Sequence, residues 1–196
     1  MAGTGDPGIP PRKTPMDSII QPWITAGYRR FALEGPTGLK VEVLARDVHK
    51  SKSSFYHHFA DLEVFTSLLL DHHLAQTRII ATRERQCKTL VPELLHLLLE
   101  YKIDLFFSRQ LRIHRNLPTY KACFVRANEE IGDAFLDVWA GAIGLEGKTA
   151  LARHVLSLVL ENFYLQLTPE TLSYEWLLTY FADIRHLVDG LKHSAR

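Results

Sequence analysis

Apolar residues recur every three or four positions along most of the chain, which is the spacing of helices that bury one face. The first such stretch begins at Ser18, where Gln21 three residues later completes a capping box, and it ends at the Gly35-Pro36 pair. No stretch alternates apolar and polar residues as a half-buried strand does. The pattern therefore predicts an all-α fold.

Two short helices are predicted next, one over about 39–48 and one that begins after the N-cap Ser51 and ends near Phe59. Asp61 is then a suitable cap for a longer helix over 62–86. Two short helices joined by a turn, with a preceding helix to brace them, are typical of a helix-turn-helix.

The second half of the chain predicts a bundle. Residues 93–107 are apolar nearly all round, as in a helix buried among others. A long helix is predicted from Pro118 to about 138. Two more helices, over about 148–167 and 170–192, are separated by Thr168 and Pro169 alone, so we expect them to pack as an antiparallel pair.

Charge changes this picture only near the N-terminus. The 196 residues carry a formal charge of +1, yet residues 1–60 hold eight Lys/Arg against five Asp/Glu, and residues 61–196 hold fifteen against seventeen. The stretch KSKSSFYHHF at 50–59 lies in an acid-free window from Val48 to Ala60. Lysines, hydroxyls and imidazoles suit a phosphate-lined groove, so this window predicts contact with double-stranded DNA.

The segment VLARDVHKSKSSFYHHFADLEVF resembles the N-terminal signature of TetR-family transcriptional regulators, over roughly residues 18–70. The most specific part is Phe55-Tyr56-His57-His58-Phe59 after Ser-Lys. The resemblance implies that Phe55 and Phe59 are core anchors. It departs from the family pattern where His49 replaces the turn glycine and where Lys40 stands near the usual capping Ser or Thr; the left-handed conformation is accessible to His.

The Gly- and Pro-rich composition of residues 1–16 predicts a flexible arm. The resemblance implies a helix-turn-helix domain over 17–62 and a ligand-sensing, dimerising helical domain over 63–196. Tyr56 and His57 or His58 would touch phosphate, and a capped helix start would present its first residues to base edges. Nine residues are predicted to contact DNA: Lys40, Lys50, Ser51, Lys52, Ser53, Ser54, Tyr56, His57 and His58.

In this reading the protein is a repressor that a small-molecule effector releases from its operator, and it acts as a homodimer. Polar residues on apolar helices, His96 and Asn128, suggest a ligand pocket together with Tyr101 and Phe124, although both can also pair within the protein. The C-terminal helices carry apolar residues on more than one face, which predicts Leu158, Trp176 and Tyr180 at a dimer interface.

Other functions find less support. The alternatives are a helical module whose basic face binds an acidic protein and a small histidine-metal enzyme. However, no metal-ligand spacing, nucleophile elbow or Gly-rich phosphate loop is present, so we expect no cofactor, metal or catalytic site. Cys87 and Cys123 have no pairing pattern and are expected to be reduced thiols in a cytoplasmic protein. No apolar run or signal peptide indicates a membrane.

Overall fold

The computed structural model describes residues 15–132 and 134–194. These residues form ten α-helices and no strand, so the predicted all-α fold is confirmed. The helices are α1 (Pro15–Glu34), α2 (Val41–Asp47), α3 (Lys52–His58), α4 (Leu62–Glu84), α5 (Leu95–Glu100), α6 (Lys102–Ile113), α7 (Pro118–Ile131), α8 (Leu136–Ala142), α9 (Thr149–Gln166) and α10 (Tyr174–Ser194).

The start of the chain differs from the prediction. Helix α1 begins at Pro15, inside the arm predicted over 1–16, and Ser18 therefore lies within the helix instead of capping it. Proline is well tolerated in the first turn of a helix, where its missing N–H has no intrahelical partner, so Pro15 can open α1. Most of the predicted arm, 1–14, lies outside the described residues.

Aromatic rings hold the first four helices together. The Phe55 ring of α3 is fully buried, with centroids 5.5 Å from Trp23 of α1, 4.9 Å from Phe59 and 5.3 Å from Phe65 of α4. The predicted anchors Phe55 and Phe59 are thus confirmed as core residues. A Cβ at Gly27 would lie 2.5 Å from the Phe65 ring, so glycine allows α1 to approach α4 closely.

Helix α1 also packs on α6 in the second half of the chain. The Phe107 ring stacks on Tyr28 at 4.4 Å and lies 4.3 Å from Phe31. Buried residues from α1 to α10 consequently belong to one continuous hydrophobic core. The helices that carry the helix-turn-helix are therefore in direct contact with the larger bundle.

Two predicted helices are each broken in two. Residues 93–107 are divided at Tyr101, whose φ and ψ are −97° and 30°, and α5 follows a π-helical turn over Leu90–Leu94. The helix predicted to run from Pro118 to 138 ends at Ile131, and α8 continues after a turn. Gly132 follows α7 directly, and glycine has low helix propensity.

The last two helices pair as predicted. The Tyr180 hydroxyl of α10 donates to the backbone carbonyl of Val159 in α9 at 2.9 Å. Helix α10 begins later than expected because Thr168 and Thr171 bond each other in a turn and Ser173 Oγ accepts from the Trp176 N–H. Within the described ranges, no helix has both the length and the apolarity needed to cross a membrane.

Candidate nucleic-acid interface and ligand cavity

A tight turn joins α2 to α3. The Lys50 N–H donates to the Ala45 carbonyl at 2.8 Å and the His49 N–H donates to the Arg46 carbonyl at 3.1 Å, which is the Schellman arrangement at a helix C-terminus. His49 has a φ of 55°, so it takes the left-handed conformation that the sequence predicted for it. This turn sets the angle between the two short helices.

The predicted cap of α3 is confirmed. Ser51 has an extended backbone, and its Oγ accepts from the Ser54 N–H at 3.1 Å. Lys40 occupies the N-cap of α2, but its side chain makes no capping bond. On the other side of the motif, Arg30 of α1 binds both carboxylate oxygens of Asp47 at 2.7 and 3.1 Å, which fixes the end of α2 against α1.

The predicted DNA-contacting residues lie on α3, in the turn before it and at the N-caps of α2 and α3. Seven are exposed and two are half-buried, namely Ser54 and His58. The surface also contains an acid that the linear window did not reveal, because the Lys52 Nζ lies 3.0 Å from Glu42 Oε1 on α2. The Lys52 hydrogen bond lowers the pKa of Glu42. The acid-free window of the sequence is thus accompanied in space by one carboxylate from the neighbouring helix.

The bundle encloses an apolar cavity with a volume of about 60 Å³. Its walls come from α4, α5, α6, α9 and α10 and from the segment around α7 and α8. Most of the lining residues are aliphatic or aromatic: Ile80, Leu94, Leu97, Leu98, Tyr101, Leu105, Ile131, Phe135, Leu156, Val159, Leu160, Phe163, Tyr164, Tyr180 and Phe181. The polar lining residues are His73, Thr77, Glu84, Asp104 and Ser108.

The four residues predicted to bind a ligand are not brought together. Tyr101 lines the cavity, whereas His96 is exposed on the outer face of α5 and lies 5.2 Å from the Tyr174 ring. Asn128 is exposed on α7, and Phe124 is covered by the Arg112 guanidinium at 4.7 Å. His96, Phe124 and Asn128 therefore lie outside the wall of this cavity, and Tyr101 is the predicted ligand residue that belongs to it.

A chain of hydrogen bonds runs from the cavity wall to α1. The Tyr28 hydroxyl donates to Asp104 Oδ1 at 2.7 Å and lies 2.7 Å from His73 Nδ1, and Ser108 Oγ lies 3.3 Å from His73 Nε2. Because the Tyr28 hydroxyl donates its proton in the hydrogen bond to Asp104, it can only accept from His73. His73 Nδ1 is therefore the protonated ring nitrogen and donates to the Tyr28 oxygen, and His73 Nε2 accepts a hydrogen bond from Ser108. Burial lowers the pKa of His73 to about 3, so the imidazole is neutral at pH 7.

A buried carboxyl group lies elsewhere on the cavity wall. Glu84, the last residue of α4, is 2% exposed, and its Oε2 has no hydrogen-bond partner. Burial raises the pKa of Glu84 to about 8, with Arg85 acting in the opposite direction. The residues His73, Thr77, Ile80 and Glu84 all line the cavity from one face of α4. Their spacing of three or four residues was a sequence signal that the four side chains share one helix face.

The raised pKa of Glu84 predicts how the stability of the protein depends on pH. Between pH 6.5 and 8 the folded protein holds a proton that the unfolded chain has released, so stability should fall as the pH rises. His73 adds a slope of the opposite sign, because it is neutral in the folded protein but still partly protonated near pH 6.5 in the unfolded chain, and this slope is common to wild type and Glu84→Gln. Urea unfolding at pH 6.5 and about 8.5 should therefore show that wild type loses about 2 kcal/mol more stability than Glu84→Gln. Equal pH slopes in both proteins would contradict the buried position of the carboxyl group.

The three predicted interface residues lie in different environments. Leu158 on α9 is 74% exposed, while Trp176 is half-buried and stacks on Tyr180 at 5.3 Å. Tyr180 itself is buried within the subunit, where it lines the cavity, so its prediction as an interface residue is corrected. Other leucines on the two helices are exposed as well: Leu151, Leu165, Leu178, Leu187 and Leu191.

The described part of the chain contains no group of three or more His, Cys, Asp or Glu side chains arranged to hold a metal ion. Cys87 and Cys123 are free thiols.

Comparison with known proteins supports the fold. No protein-family model matches the sequence, and no curated protein matches it. A structure from Mesorhizobium loti, described as a TetR-family transcriptional regulator, superposes with a TM-score of 0.55 and 14% identity, covering 91% of this chain and 98% of that one. A second TetR-family structure, from Rhodococcus sp., gives 0.55 and 18%, covering 88% of this chain and 97% of that one. The resemblance predicted from residues 18–70 is thus confirmed by solved structures, and this chain has the fold of the TetR-family transcriptional regulators.

Proposed function

We propose that this protein is a sequence-specific DNA-binding transcriptional regulator, a repressor that acts as a homodimer and leaves its operator when a small ligand binds. The observation that carries the proposal is the exposed polar surface of α3, held by the His49 turn and the Ser51 cap at the tip of a helix-turn-helix. Two such helices in a dimer would enter successive major grooves of a pseudo-palindromic site.

The proposed DNA surface divides into anchoring and reading residues. Lys40, Lys50, Tyr56, His57 and His58 are assigned to phosphates, which position a protein without selecting sequence. Lys52, Ser53 and Ser54 are assigned to base edges, because the N-terminal residues of a recognition helix reach the groove floor. Ser51 contributes mainly through its cap. Lys52 must leave Glu42 to contact a base. Part of the binding free energy from the base contact therefore only replaces the lost ion pair with Glu42.

Two substitutions test this division. Lys50→Ala should weaken binding to all duplexes alike and lower the slope of log affinity against log salt by about one. Lys52→Ala should cost about 1 kcal/mol or slightly more on the operator and relax preference at one base pair. Gel-shift titrations on operator and random duplexes across salt concentrations measure both effects. If Lys52→Ala lowers both affinities in equal proportion, the assignment of Lys52 to base reading is wrong.

The same titration tests the function as a whole. Binding should be strongly salt-dependent, and footprints on genomic fragments should show two half-sites spaced by the helical repeat. An absence of any footprint, with capture of an acidic protein instead, would favour the alternative of a protein-interaction module.

Dimerisation is proposed through the outer faces of α9 and α10. Leu151, Leu158 and Leu165 are spaced by seven residues on α9 and are 48%, 74% and 78% exposed. On α10, Leu187 and Leu191 are 61% and 64% exposed. Large side chains at this spacing form an apolar stripe along one side of a helix, and such stripes mark protein interfaces. Trp176 would lie at the border of this surface.

Charge placed on this surface should separate the subunits. Leu158→Glu is expected to shift the protein to monomers at micromolar concentration without loss of helicity, because Leu158 contributes little to the subunit core. Sedimentation velocity measures the change. Leu33→Glu on α1, where the leucine is 39% exposed, is the matched control and should leave the assembly unchanged. A Leu158→Glu protein that sediments as a dimer would place the interface elsewhere.

Ligand control is proposed to act through the hydrogen-bonded chain at the cavity wall. His73 and Asp104 line the cavity and both bind Tyr28, which belongs to the helix that braces α2 and α3. A ligand that moves α4 or α6 would therefore shift α1 and change the spacing of the two recognition helices. The direction of control follows from which conformation the ligand binds more tightly.

A further inference from the structure

Glu84 is the feature of the cavity that the fold itself leaves unexplained. A buried carboxyl oxygen without a hydrogen-bond partner is costly, and buried polar groups in proteins are nearly always paired. Glu84 Oε2 is buried without such a partner, and the side chain faces the cavity. A bound molecule that supplies a donor would satisfy it.

The other polar groups on the cavity wall already have partners within the protein. The Tyr180 hydroxyl donates to the Val159 carbonyl, and the Tyr101 hydroxyl accepts from Arg83. Asp104 accepts from Tyr28. Glu84 is thus the polar group on the wall for which the described residues offer no counterpart.

The charge and shape of the walls restrict the chemistry of that molecule. The two ionisable carboxyls on the wall are Glu84 and Asp104, and none of the described lining residues is Lys or Arg. An anion would therefore meet no positive charge. Aromatic rings from several helices surround the remaining space, and the faces of such rings attract cations. The volume of about 60 Å³ favours a compact molecule.

We propose that the cavity binds a compact lipophilic amine in its ammonium form, paired with the carboxylate of Glu84 and packed against the aromatic walls. This inference rests on the proposed function only for its biological meaning, because the binding site is defined without DNA. Since Glu84 holds a proton at pH 7 in the protein alone, pairing with a cation releases that proton to the solvent. A neutral ligand that accepts a hydrogen bond from the protonated carboxyl group would release none.

The test uses three probes that share a propyl chain and are small enough for the cavity, namely propylamine, 1-propanol and butanoate. Calorimetry at pH 7 on the full chain should show binding of the amine with release of close to one proton per site, measured in two buffers of different ionisation enthalpy. Glu84→Gln should weaken amine binding at least tenfold, whereas Glu129→Gln, an exposed carboxyl change on α7, should leave it unchanged. The alcohol should bind weakly and equally to all three proteins.

The proposal is overturned if the alcohol or the carboxylate binds wild-type protein as tightly as the amine, if none of the three binds, or if Glu84→Gln binds the amine as wild type does. Release of protons in the wild-type protein supports it independently of any variant. Gel shifts separate the two proposals. Amine binding without an effect on DNA contradicts the proposed ligand control alone, while DNA release by a neutral compound in a protein that does not bind the amine contradicts the amine site alone.

Discussion

Replacing Phe55 by alanine is expected to cost about 3–5 kcal/mol of stability and to abolish DNA binding. The ring is fully buried and contacts aromatic rings from α1, from the end of α3 and from α4. Helix α3 has seven residues, too few to be stable without tertiary contacts, so the loss of its anchor would release the whole recognition helix. Denaturant unfolding and a gel shift measure the two effects.

The adjacent residue provides the control. Tyr56 is 57% exposed, so Tyr56→Ala should change stability by less than about 0.5 kcal/mol. Its DNA affinity should nevertheless fall, because the hydroxyl is proposed to bind phosphate. If Phe55→Ala lost less than about 1 kcal/mol, or if both variants lost DNA binding and stability together, the separation between anchor and contact residues would be wrong.

The part of the fold that could be predicted is the part determined by local sequence. The Ser51 cap, the Asp61 cap and the left-handed turn at His49 each depend on a few neighbouring residues, and each is confirmed. The predicted α4 also ends within two residues of its observed terminus at Glu84. In these segments the periodicity and the capping signals agree, and tertiary contacts do not alter them.

The parts that failed depend on contacts between distant residues. An apolar run such as 93–107 has no polar face to fix its orientation, so the sequence could not show where the helix breaks. His96 lies on the exposed face of α5, whereas Tyr101, at the break, lies on the cavity. Similarly, the ion pair between Glu42 and Lys52 joins residues ten positions apart on different helices, which a linear window does not detect.

The candidate cavity was the least predictable feature because its polar residues come from separate helices. His73 and Glu84 lie on α4, Asp104 and Ser108 on α6, and Tyr28 reaches them from α1. Their hydrogen bonds span sequence separations of 35 to 76 residues. The sequence did place polar residues among apolar ones along α4, but nothing local indicated that this face encloses a cavity.

Tyr28→Phe is expected to lower stability by about 2–4 kcal/mol, although the substitution removes one oxygen atom. The phenyl ring should keep its stacking on Phe107, but the Asp104 carboxyl and the His73 Nδ1–H would lose a buried partner. The pKa of Asp104, already raised by burial, should rise further because the Tyr28 hydrogen bond holds it down. The double variant Tyr28→Phe/Asp104→Leu should be less destabilised than the sum of the two single changes, since no unpaired carboxyl remains.

Under the proposed ligand control, the Tyr28→Phe protein should still bind the operator below its unfolding temperature, yet respond less to a cavity ligand that releases the wild type. Unfolding in urea gives the first result and a gel shift with and without ligand gives the second. A variant with wild-type stability and an unchanged ligand response would show that the hydrogen-bonded chain between α1 and the cavity has no role in either.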